Sequence, residues 1–336
     1  MMSARTTARH AEPQWEAAAA AIAESETILL VSHIAPDGDA VGSLLGLAGP
    51  LRDMGKDISA AIDDGVPPDL RFIPHSDMVL PNVDEGEFDL MIALDSSDLE
   101  RIGRAGAYGM AKAGRVINLD HHPTNTGFGD IHLIVPEAVA AVEIVYDFLA
   151  YLGCQLSPAA ACALLTGLVT DTRGFRISAT NRRTLELAQQ LMCLGAPLSQ
   201  IMAQTLNRRP FAEVELWKQA LPSVQLKNGL IYASITQRDL RQAGLEKSGD
   251  GGLVSYLVNV DRAKISVVFK ELPEGKVEIG FRAKPGFDVA SLAFRLGGGG
   301  HTLASGCTME GNMQQVQDIV LPLARQAIAE GSSSLA

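Results

Sequence analysis

The stretch Val31–Ser43, "VSHIAPDGDAVGS", follows the apolar run "TILL" and precedes "LLGLAGPLRDMG", whose spacing reads as a helix. A strand therefore ends near Val31, and a helix starts a few residues later. At the bend stand His33, Asp37 and Asp39, three side chains able to hold a cation, together with two glycines. Strand, turn and helix form the unit of a parallel α/β sheet, whose sites lie beyond the carboxyl ends of the strands. Alone the cluster is ordinary turn chemistry, because Asp and Gly are common turn formers.

The pattern recurs further along the chain. "DISAAI", "DLMIALD" and "RVINLDHH" read as strands, and "GSLLGLAGPLRDMG", "EAVAAVEIVYDFLAYLG" and "SPAAACALLTGLVT" as helices. This alternation predicts a largely parallel sheet covered on both faces. Asp95 closes one apolar run, Asp120, His121 and His122 close another, and Asp171 a third. Each has an ordinary reading: Asp95 or Asp171 as a helix cap, His121 as a buried, hydrogen-bonded histidine. Four such groups at element ends are more than capping accounts for. Mixed imidazole and carboxylate donors suit manganese or a similar divalent ion better than a structural zinc. An odd number of shared carboxylates also suits two ions about 3.5–4 Å apart, which clamp the attacking and leaving oxygens of a phosphoryl centre.

From about Leu198 the character changes. "LSQIMAQTLNRRPFAEVELWKQAL" reads as helical material broken near Pro210. "LIYASIT", "ISVVFKE" and "KVEIGFRAK" then alternate as strands, followed by helical "DVASLAFRLG" and "MQQVQDIVLPLARQAIAEG". The expected organisation is an α/β parallel-sheet domain over residues 15–197, a helical linker over 198–223 and a smaller α+β domain over 224–330. The start of the chain reads as a frayed tail leading into a first helix, and the final "GSSSLA" as disordered. In "GGGGH", residues 297 to 300 read as a flexible backbone patch whose N–H groups can face an anion. His301 beside it and Arg282 on a preceding strand strengthen that reading. Arg262 reads as a solvated surface arginine.

With 336 residues, two domains are the default. The formal net charge of -11 argues against sequence-independent binding to long duplex DNA, which needs a broad basic face. The four cysteines show no zinc spacing and read as reduced residues of a cytoplasmic protein. No secretory signal is expected. The uncharged run between Asp147 and Asp171 has membrane-spanning length, but "GCQLSP" interrupts it, so two buried helices are expected and no membrane span.

"HIAPDGDAVGS", "LDSSD", "LDHHPTN" and "GLVTDTRGFR" resemble, in order, the four motifs of the DHH phosphoesterase superfamily. "FDVASLAFRLGGGGHTLASG" resembles the glycine-rich signature of the DHH-associated C-terminal domain. Over roughly residues 25 to 310 the chain is similar to the NrnA-type oligoribonuclease and pAp phosphatase family. The resemblance implies two Mn2+ ions, with His33 and Asp37 on one, Asp39, His121 and Asp171 on the other, and Asp95 bridging. It implies that Asp120 orients its neighbour and that His122 faces the substrate phosphate as hydrogen-bond donor or general acid. Arg282, Gly298, Gly299, Gly300 and His301 would bind the phosphate or nucleotide end. The expected reaction is hydroxide attack on phosphorus in a short nucleotide: an oligoribonucleotide of a few residues, pAp, or a linear or cyclic dinucleotide. "AVAAVEIVY" departs from the Ser-Ser-Thr-like run of many relatives. A family II inorganic pyrophosphatase shares the first four motifs but carries a different C-terminal domain. A RecJ-like exonuclease would carry extra domains and a basic channel. A non-enzymatic nucleotide sensor would have lost ligands, and all six are present here. The sequence does not rank the substrates or fix the oligomeric state; a homodimer is compatible with it.

Overall fold

Thr27–Val31 (β1) is buried at four of its five positions, as a parallel strand covered on both faces should be. The computed structural model describes residues 13–63, 65–245 and 249–334. Contacts divide the chain after Arg208 into two compact units. The first begins with helix α1 (Trp15–Glu24), then β1, α2 (Gly38–Asp53), β2 (Asp57–Ala61), β3 (Phe88–Leu94), α3 (Gly103–Lys112), β4 (Ala113–Asp120) and β5 (Ile131–Ile134). Helices α4 (Ala141–Tyr151), α5 (Pro158–Asp171), α6 (Arg182–Cys193) and α7 (Leu198–Gln204) complete it.

The strand order is β2-β1-β3-β4-β5, and every pairing is parallel. Ile28 and Leu30 of β1 join the larger core shared with α1, α2, α4 and α5, while Leu29 and Val31 join the core on the α3 side. The chain leaves β1 for β2 on one side and returns to β3 on the other. The carboxyl ends of β1 and β3 are thus the switch point of the sheet, where open α/β sheets place their sites. Ser32 Oγ donates to the Leu94 carbonyl at 2.8 Å and ties those two ends together.

Glycines set the approach of α2 to α5. A Cβ on Gly42 would lie 2.6 Å from the Ala163 carbonyl oxygen, one on Gly46 2.4 Å from the Leu164 side chain, and one on Gly38 2.3 Å from the Thr170 hydroxyl. These three positions recur every fourth residue and form one stripe of α2. The contact brings the start of α2, with Asp39, alongside the end of α5, with Asp171.

The second unit contains α8 (Phe211–Ala220), β6 (Gln225–Lys227), β7 (Leu230–Ile235), α9 (Gln237–Ala243), α10 (Leu253–Leu257), β8 (Ile265–Leu272), β9 (Lys276–Ala283), α11 (Ala290–Arg295), β10 (Gly299–His301), β11 (Ala304–Glu310) and α12 (Met313–Ser334). Its sheet runs β10-β11-β9-β8-β7-β6, antiparallel except for β7 with β8. One face buries Val267, Phe269, Ile279 and Phe281 against α11 and α12, and the other packs Ile231, Ala233 and Val268 against α8, α9 and α10.

The helical material between the sheets divides: α7 packs on α5, and α8 packs on α9 and β7. The disorder expected of "GSSSLA" is corrected over its first four residues, since α12 continues through Ser334. Gly331 explains the extension, because a Cβ there would sit 2.6 Å from the Gly286 carbonyl oxygen, so the helix end is seated against the body of the unit. The expected N-terminal tail lies, up to residue 12, outside the described residues. The run from Asp147 to Asp171 contains a break between α4 and α5 at Gly153, which has φ 73°. No helix among the described residues is long and apolar enough to cross a membrane. All four cysteines are free.

Gly42→Ala is expected to force α2 away from α5 and to cost about 1–3 kcal/mol, as overpacking does. Urea unfolding measures it, and a loss below about 0.5 kcal/mol would mean that the helices have slack there.

Candidate metal centre

Several of the candidate ligands are held by backbone groups before any ion is considered. The His33 ring is buried, and its Nδ1 lies 2.9 Å from the Ile34 carbonyl oxygen. Nδ1–H therefore donates there, leaving the Nε2 lone pair available. Asp37 is the N-cap of α2, where its Oδ1 accepts from the Asp39 and Ala40 N–H groups at 3.0 and 3.1 Å. Asp39 is buried, and its two oxygens accept from the N–H groups of Ala141 (2.6 Å) and Val142 (3.1 Å). Ala140, at the N-cap of α4, has no side chain to offer, so Asp39 caps that helix from another element. Asp95 follows β3 with φ 54°, a left-handed conformation uncommon outside glycine. Asp171 is the last residue of α5.

These side chains meet in two triads, and Asp95 of the first also approaches the histidine of the second. His33 Nε2 is 3.9 Å from an oxygen of Asp37 and 3.5 Å from Asp95 Oδ2. His121 Nε2 is 3.8 Å from Asp39, 3.7 Å from Asp171 and 3.6 Å from Asp95 Oδ1. Donor atoms from His33, Asp37 and Asp95, and separately from Asp39, His121 and Asp171, lie within 4.8 Å of one another. Asp95 thus presents one oxygen to each group. Its buried Oδ1 accepts no hydrogen bond. A buried acceptor without a donor is costly, and a cation would satisfy it.

Electrostatics point the same way. Burial, with added repulsion from neighbouring carboxylates, holds the Asp39 and Asp95 carboxyls well above their usual range. Burial also raises Asp171, although His121 opposes it. Asp120 goes the other way. Burial would raise it, but hydrogen bonds from His122 at 2.7 Å and Asn125 at 2.6 Å, with the nearby imidazole charge, leave it lowered. The Asp120 hydrogen bond in turn raises His122 and fixes its Nδ1, which leaves Nε2 directed elsewhere. Four carboxylates with two imidazole nitrogens form a donor set that fits hard or borderline divalent ions.

Several supporting residues escape a reading of the sequence. The buried Asn125 amide donates to Asp120, to the Ser96 carbonyl (3.1 Å) and to the Asn118 side chain (3.2 Å), so it binds the segment after β3 to the segment after β4. Its signal was the last letter of "LDHHPTN". Arg101 is half-buried, and its charge acts against protonation of His122. Glu143 is buried at the start of α4 and pairs with Arg183 at 2.8 Å.

In the second unit, Arg282, Ala304 and His301 are directly paired across β9, β11 and β10. Residues so paired share a face, and the small Ala304 separates the two longer side chains. The adjacent row on that face is Gly280, Gly306 and Gly299, a strip of bare backbone. Arg282, Gly280 and Gly306 line a cavity of about 460 Å³ with Lys270, Glu278 and Thr308. The expectation of a flexible glycine patch is corrected here. Gly297 and Gly298 donate their N–H groups to the Phe294 and Ala293 carbonyls at the end of α11, and Gly299–His301 is an edge strand. Gly298 has no space for a Cβ, which would lie 2.1 Å from the Gly306 carbonyl oxygen, and Gly300 has φ 134°. Arg262 is 81% exposed, as a surface arginine should be.

Comparison with known proteins fits this arrangement. The family model "DHH family, N-terminal domain" matches residues 27–168, and "DHHA1 domain" matches residues 227–330. The bifunctional oligoribonuclease and PAP phosphatase NrnA of Thermus thermophilus is 33% identical over 306 residues, 90% of each chain. The chain belongs to the NrnA-type DHH phosphoesterases. It is accordingly an enzyme, a phosphohydrolase acting on nucleotides. The crystal structure of an exopolyphosphatase-related protein from Bacteroides fragilis superposes with a TM-score of 0.83 at 25% identity, covering 94% of this chain and 95% of that one. RecJ of Thermus thermophilus, solved in complex with Mn2+, shares the fold with a TM-score of 0.51 at 16% identity, covering 95% of this chain and 55% of RecJ.

The crowded carboxylates should make the chelated protein sensitive to pH. Raised carboxyls bind protons more tightly in the folded chain than in the unfolded one, where the value is 3.8. Above that value the folded state holds the extra protons, so stability falls as pH rises through the raised range. In chelator, Tm is expected to drop as pH rises above the ordinary carboxylate range, and a divalent ion should raise Tm more at the higher pH. A scan with no such slope would show that the carboxylates are not crowded.

Proposed function

We propose that this enzyme is a manganese-dependent hydrolase of short nucleotides, with two ions held by His33, Asp37 and Asp95 and by Asp39, His121, Asp171 and the same Asp95. The observation that carries this reading is the double placement of Asp95, 3.5 Å from the first histidine and 3.6 Å from the second. Bound there, a pair of divalent ions supplies positive charge to the attacking and leaving oxygens of a phosphoryl centre. The chain's own residues do the rest. Asp120 and Asn125 fix His122 so that its Nε2–H can donate to a phosphate or leaving-group oxygen, and the raised pKa keeps that proton in place nearer neutrality. Arg282 and His301, on one face of the second sheet, are the pair suited to bind an anionic group of the nucleotide. Gly298, Gly299 and Gly300 let the chain pack closely beside them.

The substrate class is a short nucleotide with a terminal phosphate: pAp, an oligoribonucleotide of two to five residues, or a linear or cyclic dinucleotide. The net charge of -11 supports a small anion met by local cations rather than a long strand on a basic surface. The named activities of the Thermus relative support the same choice. Four free thiols suit the cytoplasm.

The test is a manganese-supplemented panel of pAp, pApA, pyrophosphate and an aryl phosphate diester. Turnover of pAp or pApA, abolished by chelator and restored best by manganese, is expected. Hydrolysis of pyrophosphate alone would overturn the reading.

Asp95→Asn, which keeps a residue tolerant of the left-handed turn, should lose both ions and reduce turnover of every substrate to background. Near-normal manganese content in this variant would remove Asp95 from the bridging role.

His301→Ala should keep its manganese and lower kcat/KM for pAp and pApA by about one to two orders of magnitude, the loss of one hydrogen bond to a charged group. The aryl diester, which carries no nucleotide group for His301 to bind, should be cleaved nearly as before. Equal losses on all three would assign His301 to support of the reacting centre.

A further inference from the structure

Asp39 depends on α4, and α4 has an anchor of its own. The N–H groups of the first turn can be traced individually. Ala141 and Val142 donate to Asp39, Glu143 N–H donates to the Ala140 carbonyl at 3.2 Å, and Val139 N–H donates to Glu143 Oε2 at 3.0 Å. The second oxygen of Glu143 accepts from Arg183 Nε at 2.8 Å. Arg183 also pairs with Asp147, one turn further along α4. Arg183 leaves the first turn of α6, which is fixed by a capping box between Asn181 and Thr184. Glu143 is 6% exposed, so without Arg183 its charge would be buried and uncompensated.

We infer that Glu143 and Arg183 are positioning residues for the ion assigned above to Asp39, His121 and Asp171. Arg183 holds Glu143, Glu143 holds the chain entering α4, and the first N–H groups of α4 hold both oxygens of Asp39. The inference rests on Asp39 being a metal ligand. It extends that reading to two side chains that touch no ion, and to the segment where Ala138–Ala141 carries no hydroxyl to cap the helix.

The structure also supplies a control. Tyr146 Oη donates to Gln190 Oε1 at 2.7 Å, a second tie between α4 and α6, away from the helix start. A role confined to joining the two helices would make the two ties equivalent. A role in placing Asp39 would not.

Calorimetric titration of the metal-free full-length protein with Mn2+ decides between them. The wild type should take up two ions, and Asp39→Asn identifies the step that belongs to its ion. Glu143→Ala and Arg183→Ala are expected to weaken that same step by about 10–100-fold, the usual effect of losing a residue that orients a ligand, with the other step within threefold. Glu143→Gln, which keeps an acceptor for Val139 N–H, should recover part of the loss, and Tyr146→Phe should leave both steps unchanged. Should Glu143→Ala fail to fold, the half-exposed Arg183 still gives the answer through Arg183→Ala. Unchanged binding in Arg183→Ala, or an equal loss in Tyr146→Phe, overturns the inference while leaving the metal reading intact. A wild type that binds fewer than two ions overturns the metal reading, and this inference with it.

Discussion

Like charges crowded into a dry pocket repel, and the first unit is organised around that repulsion. Asp39 and Asp95 are almost completely buried beside each other and beside Asp37 and Asp171. Backbone N–H groups compensate part of the charge: two from α4 reach Asp39, and two from α2 reach Asp37. Helix N-termini suit this task because their N–H groups have no partner within the helix and the dipole favours an anion. Asp95 receives no such help at Oδ1. The remaining negative charge is what would favour a cation in the pocket.

Rigidity follows from where the ligands sit. Asp39 and Asp171 lie on helices in van der Waals contact through a glycine stripe, and His33 and Asp95 leave neighbouring strands at the switch point. A site carried on packed elements holds its geometry more closely than one carried on loops. The second unit follows a different plan, with a sheet face presenting Arg282 and His301 on either side of Ala304 and a bare glycine strip beside them.

Much of the candidate carboxylate and histidine cluster was legible in the sequence because its residues interrupt strong apolar runs. Asp95 after "LMIAL" and Asp120–His122 after "VINL" are polar residues where a buried strand must end. The supporting contacts were illegible for a physical reason. Glu143 and Arg183 are 40 residues apart, and each is a common residue type with an ordinary helical role. The glycine run misled differently. Without side chains it has no periodicity, so nothing local announces that Gly299–His301 pairs with Ala304–Glu310. The helix through Ser334 overrode weak propensity by docking Gly331 on Gly286, a contact between distant residues.

The left-handed turn at Asp95 also bears on how such a site can decay over evolution. Asp and Asn are the side chains that best tolerate φ 54° without glycine's flexibility. A single nucleotide change converts an Asp codon to an Asn codon. The least strained replacement at this position is therefore also one of the nearest in the genetic code, and it removes the charge while keeping the turn. A lineage that no longer needed hydrolysis could pass through Asn here and keep a folded chain with an intact second sheet. Position 95, proposed above as the bridging ligand, is thus one at which a charge can be lost without disturbing the turn that carries it.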